Sequence, residues 1–421
     1  MRSTTISRRT LLTALGAGTV AALTGCGGGS DGPNWANLDK VLADAVAKED
    51  APFLIGAVAD RKGVLWQGAS GQATASLKAN QDTVCHLYSA TKAIGSLACM
   101  ILLDRGKLSL DTKIGDVLPQ FASIKVLDSM GPTGPVYRDP ASPITMRQLL
   151  THTSGLAYGT WDKKEFDWET YSNHPSTLTG TVESFTHPLM FDPGTAWTYG
   201  VGIDWAGFVV EQIDGRSIDQ FCFEEIFEPL EMFDTMFETD AVTDRLADVK
   251  LRGEDGKFTV ANIFRPPARP AKYGMGQACH STALDLLKLL RLVLNDGVVD
   301  GRRVLSSNAV ALMTQNQIGN LRINLPMATN LPVIAPDLDL FPGLGIPLTH
   351  TTGFVRNEAD VPGRRRAGSL TWAGFLNTHY WIDPASGIAA VLFSQSAPFN
   401  EARFGSAYAA FETAVYTELK A

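Results

Sequence analysis

Residues 89–103 read Ser-Ala-Thr-Lys-Ala-Ile-Gly-Ser-Leu-Ala-Cys-Met-Ile-Leu-Leu, a run with helical character. Nowhere else in the chain does a lysine stand three positions after a serine. Residues three apart share one face of a helix, so the Lys92 side chain can reach the Ser89 hydroxyl. A serine hydroxyl becomes a strong nucleophile when a neighbouring base takes its proton. The spacing therefore makes Ser89 and Lys92 candidate catalytic residues.

A structural interpretation of the same pair stands beside the catalytic one. In it, Ser89 begins a helix and the stem of Lys92 covers apolar surface. Lys92 is, however, the only charged residue between Asp82 and Asp104. Long cations are seldom buried without a partner, which favours a functional environment for Lys92. The motif alone does not decide between the two interpretations.

The N-terminal segment predicts export. Three arginines precede the apolar residues 11–23, which are too few to span a bilayer comfortably. Residues 7–12 resemble a twin-arginine signal, and Leu-Thr-Gly-Cys at residues 23–26 resembles a lipobox, with Cys26 as the lipidation site. The alternative is a cysteine placed there by chance. We predict an export signal peptide at residues 1–25, and a lipidated cysteine with a flexible linker at residues 26–33. The protein would then be an exported periplasmic or cell-envelope lipoprotein that meets the membrane only through this anchor.

Composition excludes some partners and sites. The 421 residues favour two subdomains, and 45% apolar with 19% charged residues describe an ordinary globular protein. Without residues 1–25, the 33 basic and 44 acidic residues give a formal charge of −11, which argues against a nucleic-acid partner. The histidines lack metal-ligand spacing, so no metal and no cofactor is predicted. The remaining cysteines show no CxxC pair, and buried free thiols are expected: Cys85, Cys99, Cys222 and Cys279.

Periodicity places strands at both ends of the chain and helices between them. Hairpins are predicted from strands at residues 53–59 with 64–68, and at residues 376–382 with 388–394. Helices are predicted at residues 34–50, 145–150, 203–213, 218–227 and 281–294, and loops at residues 128–143 and 157–188. This pattern predicts an α+β fold in which one antiparallel sheet, built from both termini and flanked by helices, carries a mostly helical insertion. The α/β domain would comprise residues 34–110 and 271–421, and the mostly helical domain residues 111–270.

Several motifs then resemble a known family. The Ser-Ala-Thr-Lys element resembles the active-site motif of the penicillin-recognising serine hydrolases, and four later stretches resemble, in order, their class C β-lactamase-like branch. These are residues 106–111, residues 144–156 with Leu-Leu-Thr-His-Thr-Ser-Gly, residues 191–199, and residues 229–235, where Glu231 stands for a glycine. The resemblance covers roughly residues 35–400. It implies a β-lactamase/transpeptidase-like fold.

The resemblance also implies residue roles. Ser89 would be the acylated nucleophile, Lys92 its proton acceptor, and Tyr199 a second base or proton shuttle. The backbone N–H groups of Ser89 and Phe375 would form the oxyanion hole. A Ser-His-Asp triad through His152 is the alternative, but the family places this histidine outside the reacting centre.

Two departures from the family bear on the substrate. Trp372 stands where the family has a basic residue that pairs with a substrate carboxylate, and the tyrosine motif ends at Val201 instead of an asparagine. Together with Ala373 and Gly374, these residues are expected to contact substrate. Both changes favour a neutral acyl ester over an anionic lactam. They resemble the family VIII carboxylesterases and the related statin side-chain acyltransferases. The arginines at 364–366 could restore a cation and with it a weak β-lactamase activity, although a solvated loop is the simpler reading.

The sequence therefore predicts a serine carboxylesterase that hydrolyses small to medium acyl esters through a Ser89 acyl-enzyme. The same chemistry with another acceptor is the first alternative: acyl transfer to an alcohol, or weak β-lactamase or D-peptidase activity. A non-catalytic envelope protein that binds peptidoglycan-like ligands is a third, and it predicts loss of a catalytic residue. The partner expected is a small-molecule ester; the oligomeric state is left open.

Overall fold

The computed structural model describes residues 35–261 and 264–420. The predicted signal peptide, the lipidation site Cys26 and the linker lie outside these residues. Within the described part, no helix combines the length and the apolar character needed to cross a membrane.

The chain forms ten α-helices and sixteen strands within the described residues. The helices are α1 (Ala36–Ala47), α2 (Thr91–Asp104), α3 (Ile114–Val117), α4 (Met146–Leu150), α5 (Lys163–Ser172), α6 (Gly202–Asp214), α7 (Ile218–Cys222), α8 (Ala283–Leu294), α9 (Ser307–Thr314) and α10 (Ala402–Glu418). The strands are β1 (Phe53–Asp60), β2 (Val64–Gly71), β3 (Cys85–His86), β4 (Val126–Gly131), β5 (Gly134–Arg138), β6 (Lys250–Arg252), β7 (Phe258–Val260), β8 (His280–Ser281), β9 (Val298–Val299), β10 (Arg302–Arg303), β11 (Leu348–His350), β12 (Val355–Asn357), β13 (Leu370–Gly374), β14 (Thr378–Asp383), β15 (Ile388–Phe393) and β16 (Ser396–Ala397).

A seven-stranded antiparallel sheet, in the order β11-β12-β13-β14-β15-β1-β2, joins the two ends of the chain. The joint is the pairing of β1 with β15, where Ile55 lies opposite Phe393. This confirms the predicted α+β architecture with one sheet built from both termini. The strand β13, which was expected to line the substrate, lies between β12 and β14.

Both faces of the sheet are covered, because successive strand residues point to opposite sides. Leu54 and Val58 of β1 pack on α1 and α10, while Ile55 and Ala57 belong to the larger core on the other face. That larger core contains α2 and α8. Every residue of α2 from Thr91 to Leu102 is buried, which explains why its sequence carries almost no charge.

Two segments predicted as loops contain regular structure. Residues 128–143 overlap a two-stranded hairpin of β4 and β5, whose turn closes at Gly131 opposite Gly134. Gly134 has a φ of 125°, so the glycine- and proline-rich stretch forms a turn inside a hairpin. Residues 157–188 contain α5, which is capped by the Asp162 carboxylate accepting the Glu165 N–H at 3.0 Å. Only Glu165 and Trp168 of α5 are fully buried, so its apolar periodicity is weak.

Candidate active site

Ser89 lies on a strained turn that leads into α2. The 3-10 turn Tyr88–Ala90 precedes the helix, and Tyr88 has a φ of 46°, which is rare for a residue with a side chain. The Tyr88 hydroxyl donates to the Phe264 carbonyl oxygen at 2.5 Å, which holds the turn in place. Strain of this kind concentrates at functional sites. Here it presents Ser89 to a cavity of about 360 Å³.

Lys92 is buried and has a hydrogen-bond acceptor for each of its three protons. Its Nζ lies 3.2 Å from Ser89 Oγ, 3.2 Å from the Tyr158 hydroxyl and 2.9 Å from the Gly276 carbonyl oxygen. Only 1% of the residue is exposed. The structural interpretation of a lysine at the surface is therefore wrong, because the ammonium is enclosed and fully coordinated.

Tyr199 completes the group around the serine. Its hydroxyl lies 2.5 Å from Ser89 Oγ, and its ring lies 4.9 Å from Lys92 Nζ. The edge of Trp372 packs on the same ring with centroids 4.8 Å apart. Gly200, next in sequence, has no room for a side chain, since a Cβ would lie 2.2 Å from the Leu156 carbonyl oxygen. The structure thus brings together Ser89, Lys92 and Tyr199 as the sequence predicts.

Two residues of this network were missed from the sequence. Tyr158, assigned only to an aromatic-rich loop, accepts from Lys92 and donates to Asp204 Oδ2 at 3.3 Å. Asp204 is 1% exposed and also accepts the Gly276 N–H at 2.7 Å. Burial raises the pKa of Asp204, and the nearby Lys92 charge opposes that rise. Burial likewise raises the pKa of Tyr158 well above its usual value.

A sequence signal for Asp204 existed. It is the only charged residue between Asp192 and Glu211, in a stretch that forms the buried start of α6. Lys92 has the same isolation on α2. Two lone opposite charges on two buried helices are expected to lie near each other, because each needs compensation.

His152 does not act on the serine. It is buried behind Tyr199, with ring centroids 5.0 Å apart, and its Nδ1 accepts the Gly200 N–H at 3.4 Å. Burial lowers its pKa well below the usual value, with the His350 and Lys92 charges adding to the effect. The hydrogen bonds of Ser89 Oγ go to Lys92 and Tyr199 instead. The triad alternative therefore has no geometric support.

The C-terminal end of β13 lines the cavity, but only some of the predicted contact residues face it. Trp372, Ala373 and Phe375 line the cavity. Val201 is completely buried in the core at the start of α6, so the structure does not place it in the wall. Gly374 acts through its backbone, because a Cβ there would lie 1.9 Å from the Leu87 carbonyl oxygen. This close approach fixes the strand against the turn that carries Ser89.

The arginines at 364–366 do not supply a cation to the cavity. Arg365 is buried and pairs with Glu412 of α10 at 2.6 and 3.0 Å. Arg366 pairs with Asp360 at 3.1 Å, and Arg364 lies 3.5 Å from Glu412. In the described residues, no lysine or arginine lines the cavity. The four cysteines outside the N-terminal segment are buried free thiols, as expected.

Comparison with known proteins shows the family and the fold. The family described as Beta-lactamase matches residues 38–415. Lovastatin esterase from Penicillium rubens is 32% identical over 323 residues, which are 74% of this chain and 79% of that protein. Monacolin J acid methylbutanoyltransferase from Aspergillus terreus is 29% identical over 355 residues, 80% of this chain and 83% of that protein. A solved structure of a simvastatin synthase mutant from Aspergillus terreus superposes with a TM-score of 0.79 at 26% identity, covering 91% of this chain and 97% of that one.

Proposed function

This chain belongs to the β-lactamase family, whose members similar to it include an esterase and an acyltransferase, and from that premise we propose that it is a serine carboxylesterase acting on small to medium acyl esters. Family membership makes it an enzyme of the serine hydrolase and acyltransferase kind. The observation that carries the finer proposal is the meeting of Ser89 Oγ, Lys92 Nζ and the Tyr199 hydroxyl at one end of a largely apolar cavity.

The hydrogen bonds of Lys92 suggest where a proton moves. Two of its N–H groups are committed, because the Gly276 carbonyl can only accept and the Tyr158 hydroxyl donates its own proton to Asp204. The third position faces Ser89 Oγ. It holds an N–H in the ammonium and a lone pair in the amine. Proton exchange with the serine is therefore directed to this one position, while the Tyr199 hydroxyl, which donates to Ser89 Oγ at 2.5 Å, is the second group in contact with the serine.

The reaction then takes two steps. Ser89 Oγ forms a bond to the ester carbonyl carbon while its proton passes to the Lys92 and Tyr199 pair. The bond from that carbon to the alcohol oxygen breaks, and the alcohol leaves with the returned proton. In the second step water attacks the acyl-enzyme, gives a proton to the same pair, and releases the acid as Ser89 regains its hydrogen. The N–H groups of Ser89 and Phe375 would hold the oxyanion in both steps.

The cavity favours a neutral ester at the reacting end. Trp372 replaces the cation that would pair with a substrate carboxylate, and aromatic and aliphatic side chains form most of the wall: Tyr88, Trp161, Phe264, Leu338, Leu340, Trp372, Phe375 and Phe399. Moving acyl or alkyl groups of the substrate from water to such apolar walls favours binding. Among the described residues, no lysine or arginine lines the cavity to pair with the carboxylate of an anionic β-lactam. Weak β-lactam hydrolysis is therefore the less favoured use of this site.

Acyl transfer to an alcohol is the second candidate function. It uses the same acyl-enzyme, with an alcohol in place of water in the second step. The similarity to the methylbutanoyltransferase of Aspergillus terreus supports it. The two activities differ in whether water or an alcohol takes the acyl group from the acyl-enzyme. Product analysis separates them, because water gives an acid and an alcohol gives a new ester.

One panel of substrates tests these proposals. We expect Ser89→Ala to abolish hydrolysis of p-nitrophenyl esters from acetate to octanoate, whereas Ser96→Ala, at a buried serine on the helix α2 that follows, keeps it. A chromogenic cephalosporin measures β-lactamase activity, and an added alcohol acceptor reveals transfer as a new ester. Ester hydrolysis that persists in pure Ser89→Ala would refute the nucleophile. A wild-type protein that binds the esters but turns none over would favour the non-catalytic alternative.

A further inference from the structure

The lining of the cavity at Ser89 also contains residues outside the catalytic group: Glu169, His174 and His187, which we call the acidic part of the cavity. Glu169 is the only carboxylate among the lining residues that the structure describes, and no lysine or arginine is among them. An ester bound at Ser89 therefore shares its cavity with one carboxylate.

Glu169 is fixed at the wall, and no lysine or arginine of the described part of the chain forms an ion pair with it. Its Oε2 lies where a Cβ on Gly159 would approach to 2.1 Å, so the carboxylate rests on the backbone next to Tyr158. Its nearest ionisable nitrogen is His187 Nδ1 at 4.0 Å. The two lysines of α5 are used elsewhere: Lys163 pairs with Asp167, and Lys164 donates to the carbonyl oxygens of Leu127 and Met190. About 31% of the Glu169 side chain is exposed, so a ligand can reach it.

The histidine beside Glu169 does not neutralise it. His187 Nε2 lies 3.1 Å from the Ser184 carbonyl oxygen and must donate there, which leaves Nδ1 to share one proton with Glu165 Oε1 at 2.5 Å. Burial lowers the pKa of His187, which favours the neutral ring. Glu165 is completely buried, and its Oε2 has no hydrogen-bond partner. The 2.5 Å gap suits a proton and is too short for two ligands of one metal ion. Among the residues that the structure describes, the acidic part of the cavity thus keeps one carboxyl group, that of Glu169, with no cation paired to it.

Resting on the esterase function proposed above, we propose that the acidic part of the cavity is a subsite for a cationic group of the ester, an ammonium or quaternary ammonium, held by Glu169. The cavity is also lined by the aromatic side chains of Trp161 and Phe399, and aromatic rings suit a cation that has shed water. The protein is then selective for esters that are neutral at the carbonyl and positively charged at their distal end. Esters with a distal carboxylate are disfavoured by the same charge.

Matched esters test this subsite. Butyrylthiocholine and 3,3-dimethylbutyl thiobutyrate differ by a charge on the alcohol side. The p-nitrophenyl esters of 4-(trimethylammonio)butyrate and 5,5-dimethylhexanoate differ in the same way on the acyl side. We expect the ratio of kcat/KM, cationic over neutral, to reach about fivefold in one pair, the upper end of what an exposed ionic contact contributes. That pair also shows which side of the ester occupies the subsite.

Two variants separate the subsite from the general negative charge of the protein. We expect Glu169→Gln to bring the ratio to about one, and Asp167→Asn, an exposed acid on the same helix, to leave it unchanged. A ratio of one or less in both pairs would overturn the proposal, as would a preference that survives Glu169→Gln. Turnover of the neutral esters by the wild-type protein would still stand in either case, so the esterase function is judged separately.

Discussion

Replacing Asp204 by asparagine removes the buried carboxylate that supports the active-site lysine from the side away from the substrate. Asp204 accepts hydrogen bonds from the Gly276 N–H at 2.7 Å and from the Tyr158 hydroxyl at 3.3 Å. Lys92 in turn donates hydrogen bonds to the Tyr158 hydroxyl and to the Gly276 carbonyl oxygen. An asparagine can keep one acceptor, for Gly276, but turns an N–H towards Tyr158. The Tyr158 hydroxyl then faces donors on two sides, and its own proton loses the acceptor that Asp204 provides.

The expected loss follows from one hydrogen bond to a charged group. Such a bond contributes about 1.5–3 kcal/mol. At about 1.4 kcal/mol for each factor of ten, kcat for p-nitrophenyl butyrate should fall about 10- to 150-fold. Asp204 is 1% exposed and does not line the cavity, so KM should change little. This combination is expected of a residue that positions Lys92 without touching the substrate.

Steady-state kinetics and a double-mutant cycle make the measurement. Tyr158→Phe removes the same bridge, so the losses in the double variant should be far from additive. Circular-dichroism melting must show a cooperative transition in each variant before kcat is compared. A kcat for Asp204→Asn within threefold of the wild type would refute this reasoning, and so would a loss that appears only in KM.

Three further predictions concern other parts of the molecule. In Gly374→Ala the new Cβ would lie 1.9 Å from the Leu87 carbonyl oxygen, so urea unfolding should show a loss of about 3 kcal/mol, against less than about 0.5 kcal/mol for Gly63→Ala, where nothing lies within 4 Å. Burial lowers the pKa of His350 from 6.5 to about 4. The contribution of the neutral His350 ring to the free energy of unfolding is therefore complete above pH 6.5 and is lost towards pH 4, at about 1.4 kcal/mol per pH unit. An imidazole NMR titration with a midpoint above 6 would contradict this. We also propose lipidation at Cys26, so Cys26→Ser should move the protein out of the membrane fraction, and a variant that stays there would exclude this anchor.

The sequence predicted the catalytic residues better than the residues that position them. Ser89 and Lys92 lie three positions apart, and such spacing on a helix translates directly into distance, whereas Tyr199 was implied by the resemblance to a family. Asp204 and Tyr158 belong to no motif with such spacing. Their contact with Lys92 depends on how α2 and α6 pack, which local sequence does not specify. The isolation of Asp204 in a buried stretch was the one available sign.

The substrate side was harder to predict for a similar reason. Val201 was expected in the cavity because it follows the catalytic tyrosine, but the chain turns into α6 there and buries its side chain. The arginines at 364–366 were considered as a cation source, whereas Glu412 on the distant α10 holds Arg365. Glu169 lies on a helix whose weak periodicity hid it, so the acidic part of the cavity was not visible from the sequence. In each case a contact between distant segments decided where the side chain lies.

Trapping the acyl group tests the proposed mechanism most directly. After brief mixing with p-nitrophenyl butyrate and acid quenching, intact-mass and peptide mass spectrometry should find one butyryl group, on the peptide that contains Ser89. The adduct should decay at the rate of turnover and be absent from Ser89→Ala. An active wild-type enzyme with no adduct at Ser89, or with the butyryl group on another residue, would contradict the mechanism.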